Sequence, residues 1–193
     1  MKIIGITGGI ASGKSTLTAY LRKQNIPVFD ADASAHDAVR LGSPCLAQIR
    51  ETFGDKVLAN NGELDRKVMA AIAFSNPEEL KKLENIIHRY VWRKIEEFID
   101  TKKQEKIIAL DVPLLIECGW YSRVDAVWLL SIPEEEQIKR AIARNNITEE
   151  EVRARLNAQM PFSEKKKYAT IILDNSGSVG SLEKQVRAAL RTI

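Results

Sequence analysis

Lys2-Ile3-Ile4-Gly5-Ile6-Thr7-Gly8-Gly9-Ile10-Ala11-Ser12-Gly13-Lys14-Ser15-Thr16 is the stretch that decides the fold. Lys2 to Thr7 is a short β-branched run that reads as a buried strand, and Leu17 to Lys23 reads as a helix. Gly8 to Ser15 between them fits G-x-x-x-x-G-K-[ST], the phosphate-binding loop, in the strand-turn-helix setting that motif requires. Each residue type has a physical reason. Gly8 and Gly13 let the backbone bend and approach a ligand closely. The backbone N–H groups of Gly9, Ala11, Ser12 and Gly13 and the start of the helix, through Thr16, form an anion cradle at a positive dipole end. Lys14 brings a mobile charge to the β/γ-phosphates, and Ser15 offers a hydroxyl to Mg²⁺, which keeps most of its waters. The motif predicts a nucleotide-phosphate site and leaves open what happens to the phosphate.

Outward from the loop, the same period recurs. Ile26 to Asp30, Glu105 to Asp111, Asp125 to Ile132 and Thr170 to Asp174 are apolar runs that read as four more strands. Helical patterns separate them: Ala33 to Leu41, Cys45 to Phe53, Leu64 to Phe74, Pro77 to about Lys103, Pro133 to Asn145, Thr148 to about Gln159, and Leu182 to Thr192. Asn76-Pro77-Glu78-Glu79 and Thr148-Glu149-Glu150-Glu151 read as capping boxes. Asn60-Asn61-Gly62 marks a turn, and Asn145-Asn146 an interruption. The long fifth helix carries Leu80, Leu83, Ile87, Val91, Ile95 and Phe98 on one face. Five apolar strands alternating with helices predict an α/β fold, with a five-stranded parallel sheet covered on both faces in three layers. The core is expected at 1–32, 104–141 and 169–193. A helical insert is expected at 33–103 and a helical lid at 142–168.

The chain has 193 residues, 45% hydrophobic and 28% charged, with a net charge of +3. That fits one soluble, well-cored domain with inserted lobes, and is too weakly basic to argue for nucleic acid. Cys45 and Cys118 match no metal spacing and fit free thiols in a reducing compartment. No signal peptide, membrane span or repeat is read, and cytoplasm is the expected location.

Ligands of parallel sheets bind at the carboxyl ends of the strands, which gathers the loop, Asp32, Asp111 and the start of the 133–145 helix around one crevice. Asp32 reads either as the group that accepts or orients a hydroxyl proton, or as the cap of the next helix. Asp111 after Ile107-Ile108-Ala109-Leu110 reads either as a water-mediated Mg²⁺ ligand or as an ordinary strand end. Arg140 and Arg144 share a helix face, and as a pair they read as phosphate contacts at the base of a lid that excludes water. Each arginine taken singly, Arg153 and Arg155 included, reads rather as part of a solvated basic face paired with Glu135, Glu136 and Glu149 to Glu151. Lys165-Lys166-Lys167 reads as plain surface, and His88 near the apolar stripe reads as structural.

With these residues in place, the chain resembles the dephospho-coenzyme A kinase family. The resemblance rests on the loop at Gly8 to Thr16, on Asp30-Ala31-Asp32 followed by His36, and on Gly62-Glu63-Leu64-Asp65-Arg66. It continues in Leu83-Glu84-Asn85-Ile86-Ile87-His88, Val112-Pro113-Leu114-Leu115-Ile116-Glu117, Arg140 with Arg144, Gln159, and Ile172-Leu173-Asp174-Asn175-Ser176-Gly177. It implies a nucleoside-monophosphate-kinase-like fold with a coenzyme A-binding insert, and transfer of the γ-phosphate of ATP to the 3′-hydroxyl of dephospho-coenzyme A. It also implies Asp32, Lys14 and Arg140 as catalytic residues, Arg144 and Asn175 toward ATP with Asn175 near the adenine, and Asp32, Leu64, Asp65, Arg66, His88 and Leu115 toward the acceptor. Mg²⁺ is the implied cofactor, ATP and dephospho-coenzyme A are the partners, and the chain is expected as a monomer or weak homo-oligomer. Ala11 stands where glycine is frequent, Arg89 follows His88 where the family usually has proline, and Asp111 holds a position the family does not fix firmly. A nucleoside monophosphate kinase, a GTPase-type switch and a non-catalytic ATP module are the rival readings. The specific segments, the lack of N-K-x-D, and the intact Lys14 and Asp32 argue against each in turn.

Overall fold

The computed structural model describes residues 1–193, except the side chain of Asn145. Five parallel strands form one sheet: β1 (Lys2–Gly8), β2 (Val28–Asp30), β3 (Ile107–Asp111), β4 (Ala126–Ser131) and β5 (Ile171–Asp174), in the order β2-β3-β1-β4-β5. Strand β1 lies between β3 and β4 and is buried on both faces, Ile4 and Ile6 on one and Gly5 and Thr7 on the other. Its register pairs Ile6 with Asp111 on one side and Trp128 on the other. Helices α1 (Lys14–Lys23) and α9 (Val179–Leu190) cover one face, where Leu17, Leu21, Leu182 and Val186 pack with Ile4, Ile6 and Trp128. Each such side chain, fully buried, contributes about 1.5–3 kcal/mol.

Contacts divide the chain into two compact units, Met1–Phe29 with Lys102–Ile193, and Asp30–Thr101. The second unit is helical: α2 (Ala31–Ala38), α3 (Pro44–Phe53), α4 (Arg66–Ser75) and α5 (Pro77–Thr101). Its own core holds Val39, Ile49, Phe53, Val57, Met69 and Ile86. Cys45 lies in this core as a thiol whose pKa is pushed up by burial, and neither it nor Cys118 forms a disulfide. Gly62, at φ +82°, closes the predicted turn, and Leu58 pairs with Leu64 across it.

Most expected elements appear with shifted ends. Helix α2 starts at Ala31 rather than Ala33, because the Asp30 carboxylate caps it by accepting from the Ala33 N–H at 2.9 Å. Asn76 caps α5 through the Glu78 N–H, while the Glu79 carboxylate pairs with Lys82 instead of closing a capping box. The box at Thr148 and Glu151 is complete. Helix α5 runs unbroken past Arg89 and buries Ile86, Val91 and Ile95.

In the first unit, α6 (Glu134–Asn145) and α7 (Glu149–Asn157) form a hairpin, followed by the single turn α8 (Phe162–Lys165) that the sequence did not suggest. The expected interruption at Asn145 lies outside the described side chains; Asn146, in the left-handed region at φ +51°, ends α6. The expectation that Lys165 to Lys167 is surface holds for the last two and fails for Lys165. Its side chain is 2% exposed, and its Nζ lies 2.8 Å from the Glu117 carboxylate. Glu117 also accepts the Met160 N–H at 3.4 Å, and Tyr168 packs on Tyr121 with ring centroids 4.6 Å apart. The return leg of the hairpin is thus tied down along residues 117–121. Glu117→Ala leaves the buried ammonium without its partner and is expected to cost about 3 kcal/mol in urea unfolding, whereas Lys165→Met, which removes the charge and keeps the volume, is expected to cost clearly less.

Candidate active site

The first unit places the loop of residues 8–16 between β1 and α1. Its geometry follows from the residue types. Gly13 caps α1 in the left-handed region (φ +93°), and no side chain fills that cap. The first turn of α1 carries no acidic residue. A helix N-terminus with open N–H groups and no competing carboxylate is suited to an anion. Ala11 also lies in the left-handed region, at φ +54°, which explains why glycine would be at home there. Ser12 is 1% exposed, so its hydroxyl is buried within the protein. Lys14 is half-buried, and Ser15 is exposed at the helix start.

Neighbouring elements of the same unit hold this loop from three sides. Below it, the buried Thr7 hydroxyl donates to the Pro113 carbonyl at 2.8 Å. Beside it, Gln137 on α6 packs so closely that a Cβ on Gly9 would stand 2.3 Å from its Oε1. From β5, the Asn175 amide donates to the Ser12 carbonyl at 2.8 Å. Ile10 and Ala11 complete a small apolar cluster with Ile138, Ala141 and Val152 of the α6–α7 hairpin. Gln137 and the Thr7–Pro113 contact were missed in the sequence. Gln137 sits one turn before Arg140 on the same helix face, which is the signal that could have found it.

Arg140 lies on α6. Its Nε donates to Glu136 at 2.8 Å, and its Nη2 donates to the Asn175 carbonyl at 3.2 Å. Arg144 is exposed one turn further along α6. Arg153 bridges Glu149 and Glu134, which is the solvated, ion-paired reading. The Asp174 carboxyl is held below the usual carboxylate range because the Ser176 backbone N–H donates to it, and this fixes the turn that carries Asn175. A groove of about 320 Å³ opens beside the loop, lined by Ser15, Thr16, Tyr20 and Val179 among others.

Leu115, expected toward the acceptor, is a core residue. It is fully buried and fills the space over Gly5 of β1, 2.5 Å from where a Cβ would stand, so its side chain cannot reach a ligand. Asp111 ends β3 opposite Ile6. Among the described residues no cluster of three His, Cys, Asp or Glu could hold a metal by itself. The donor set on offer is one exposed hydroxyl, Ser15, which suits a Mg²⁺ carried largely by phosphate oxygens and water.

The helical unit has its own cleft of about 510 Å³, lined by His36, Arg40, Leu41, Glu63, Leu64 and Arg66. Leu64 and Arg66 were expected toward the acceptor; Arg40 and Glu63 were not recognised. Asp65 caps α4 by accepting the Lys67 and Val68 N–H groups at 3.0 Å each. His88 lies on α5 against Trp92, with ring centroids 6.0 Å apart. Asp32 is exposed in the first turn of α2, and the capping role falls to Asp30.

Comparison with known proteins places these features in one group. A family model described as dephospho-CoA kinase matches residues 2–181. A curated dephospho-CoA kinase of Carboxydothermus hydrogenoformans is 42% identical over 99% of this chain and 94% of its own. A solved Thermus thermophilus structure superposes with TM-score 0.87 at 40% identity, covering 100% of this chain and 97% of that one. The solved dephospho-CoA kinase of Campylobacter jejuni gives TM-score 0.73 at 29% identity over 99% of this chain and 96% of that one.

Two substitutions test the loop geometry. Gly13→Ala puts a Cβ 1.9 Å from the Asn175 amide nitrogen in a left-handed residue, and ATP affinity measured by calorimetry is expected to fall about tenfold or more. Ala11→Gly relieves a left-handed alanine and is expected to raise unfolding stability by up to about 1 kcal/mol while ATP binding is kept.

Proposed function

The chain belongs to the dephospho-CoA kinase family, and from that premise we propose how its own residues divide the work. The reaction is the transfer of the γ-phosphate of ATP to the 3′-hydroxyl of dephospho-coenzyme A, giving coenzyme A and ADP, the last step of coenzyme A synthesis. One observation carries the reading: the family match spans residues 2–181, with the phosphate loop formed in full between β1 and α1.

In the proposed arrangement, the N–H groups of residues 9–16 and Lys14 hold the ATP phosphates, and Ser15 holds Mg²⁺. The metal, when bound, neutralises charge on the phosphate oxygens. Asp111 would act on it only through water. The nucleotide base takes the groove beside Thr16 and Val179. Arg140, already oriented by Glu136 and the Asn175 carbonyl, turns its remaining N–H groups to the transferred phosphoryl group, with Arg144 beside it. The α6–α7 hairpin serves as the lid that excludes water, so that the hydroxyl and not water is the nucleophile. The acceptor hydroxyl oxygen attacks the γ-phosphorus, the bond to the β,γ-bridging oxygen breaks, and ADP leaves. The hydroxyl proton passes to the Asp32 carboxylate. Little base strength is required, since phosphoryl transfer depends mainly on positioning and charge neutralisation.

The acceptor is proposed to lie on the helical unit. Its cleft combines Arg40, Arg66 and His36 with Leu41 and Leu64, which suits a molecule that carries a diphosphate and a long, partly apolar arm. Asp65, which caps α4, and His88, which lies against Trp92 on α5, are proposed to help hold the acceptor. The enzyme is proposed to work in the cytoplasm as a monomer or weak homo-oligomer. Its thiols, which form no disulfide, suit a reducing compartment. Among the described residues no helix is long and apolar enough to cross a membrane.

With ATP, Mg²⁺ and a panel of dephospho-coenzyme A, AMP, CMP, UMP and shikimate, ADP release is expected only with dephospho-coenzyme A; turnover of a monophosphate alone would overturn the assignment. Asp32→Asn is expected to lower kcat by at least about 100-fold while ATP binding is nearly unchanged, and full turnover in that variant would remove Asp32 from the mechanism.

A further inference from the structure

Asn175 reaches the phosphate loop from the opposite end of the chain. It is 6% exposed, and all three of its polar contacts are directed. Its backbone N–H donates to the Ser131 carbonyl at 2.8 Å, which continues the β4–β5 ladder by one residue. Its side-chain amide donates to the Ser12 carbonyl at 2.8 Å, across a sequence separation of 163 residues. Its own carbonyl accepts from Nη2 of Arg140 at 3.2 Å.

These contacts bear on phosphate geometry rather than on base recognition. A trans peptide is planar, so its C=O and N–H point in opposite directions, and the chain has no cis peptide. Holding the Ser12 carbonyl toward Asn175 therefore aims the Gly13 N–H away from Asn175, into the bend of the loop. Gly13 is in the left-handed conformation that lets this peptide turn, and it carries no side chain because the Asn175 amide fills that space. The same residue orients the lid arginine. The Gly13 N–H and Arg140 thus both depend on one residue, the first through its side chain and the second through its main-chain carbonyl.

We propose that Asn175 is a positioning residue for the phosphate site, setting the direction of the Gly13 N–H through Ser12 and the direction of Arg140 through its own carbonyl, with its amide not engaged with the nucleotide base. The proposal rests on the reading of the loop as the ATP site and is independent of the acceptor. Asn175→Asp preserves the shape and places an acceptor opposite the Ser12 carbonyl; Asn175→Ala removes the donor. An unpaired buried carbonyl and a released loop predict a tenfold or greater loss of phosphate affinity.

The test compares ATP with inorganic tripolyphosphate, which has the phosphates and no base. Affinities for both are measured by calorimetry on the wild type and on each variant, beside melting temperature and the KM for ATP. Both variants are expected to lose ATP and tripolyphosphate affinity in the same proportion, about tenfold or more, through the freed Ser12 carbonyl, while the main-chain carbonyl that holds Arg140 stays in place in both. A loss for ATP with tripolyphosphate binding unchanged would show that Asn175 reads the base and would overturn the proposal. So would a lowered melting temperature with both affinities unchanged, which is the mark of a merely structural residue. Should Asn175→Asp not fold, Asn175→Ala carries the same comparison. Because neither ligand involves dephospho-coenzyme A, the outcome stands whichever alcohol proves to be the acceptor.

Discussion

Several peptide N–H groups between Gly9 and Lys14 have to turn toward one point, and the rest of the catalytic unit serves that constraint. Parallel peptide dipoles repel one another, and the turn needs left-handed residues at Ala11 and Gly13. Left alone, such a loop would relax. It is held because both of its ends grow out of rigid elements: β1, paired on both sides, and α1, packed on the core through Leu17 and Leu21. Pro113 beyond β3, Gln137 on α6 and Asn175 after β5 then close on it. Strain at a functional site persists when the surroundings over-determine it, and here three separate elements do so.

The same economy extends to the arginines. Arg140 would be a flexible surface cation if α6 stood alone. Glu136 and the Asn175 carbonyl fix two of its donors, so the guanidinium is presented with part of its fork committed and part available. The α6–α7 hairpin meets the loop through the apolar cluster around Ala141 and Val152 and through Gln137 against Gly9. Its return leg, in contrast, is pinned by the Lys165–Glu117 pair and by Tyr121 against Tyr168.

Much of this was legible in the residues. The five strands, the alternation with helices and the phosphate loop follow from apolar period and from glycine placement, and all are local properties. Asp30 and Asp32 show where local reading stops. Both are acidic residues at a strand end, and the choice of cap depends on which one adopts the extended conformation; Asp30 does, leaving Asp32 in the helical turn. Leu115 shows the complementary error. A leucine in a characteristic segment suggests ligand contact, yet Gly5 on the neighbouring strand leaves a hole that this side chain fills. Lys165 shows it again, since a run of three lysines looks solvated until a one-turn helix points one of them inward at Glu117.

The sequence by itself determined the sheet, the location of the phosphate loop, the helical insert and the family. Those features rest on short-range sterics, on hydrophobic period and on motif spacing, all of which are written within a few turns of chain. Only the tertiary structure decided what supports the loop. Ser12 and Asn175 are 163 residues apart, Thr7 and Pro113 are 106 apart, and Glu117 finds Lys165 beyond the α6–α7 hairpin. Hydrogen bonds and buried ion pairs depend on distance and direction in space, and no periodicity along the chain encodes which distant partner will complete them.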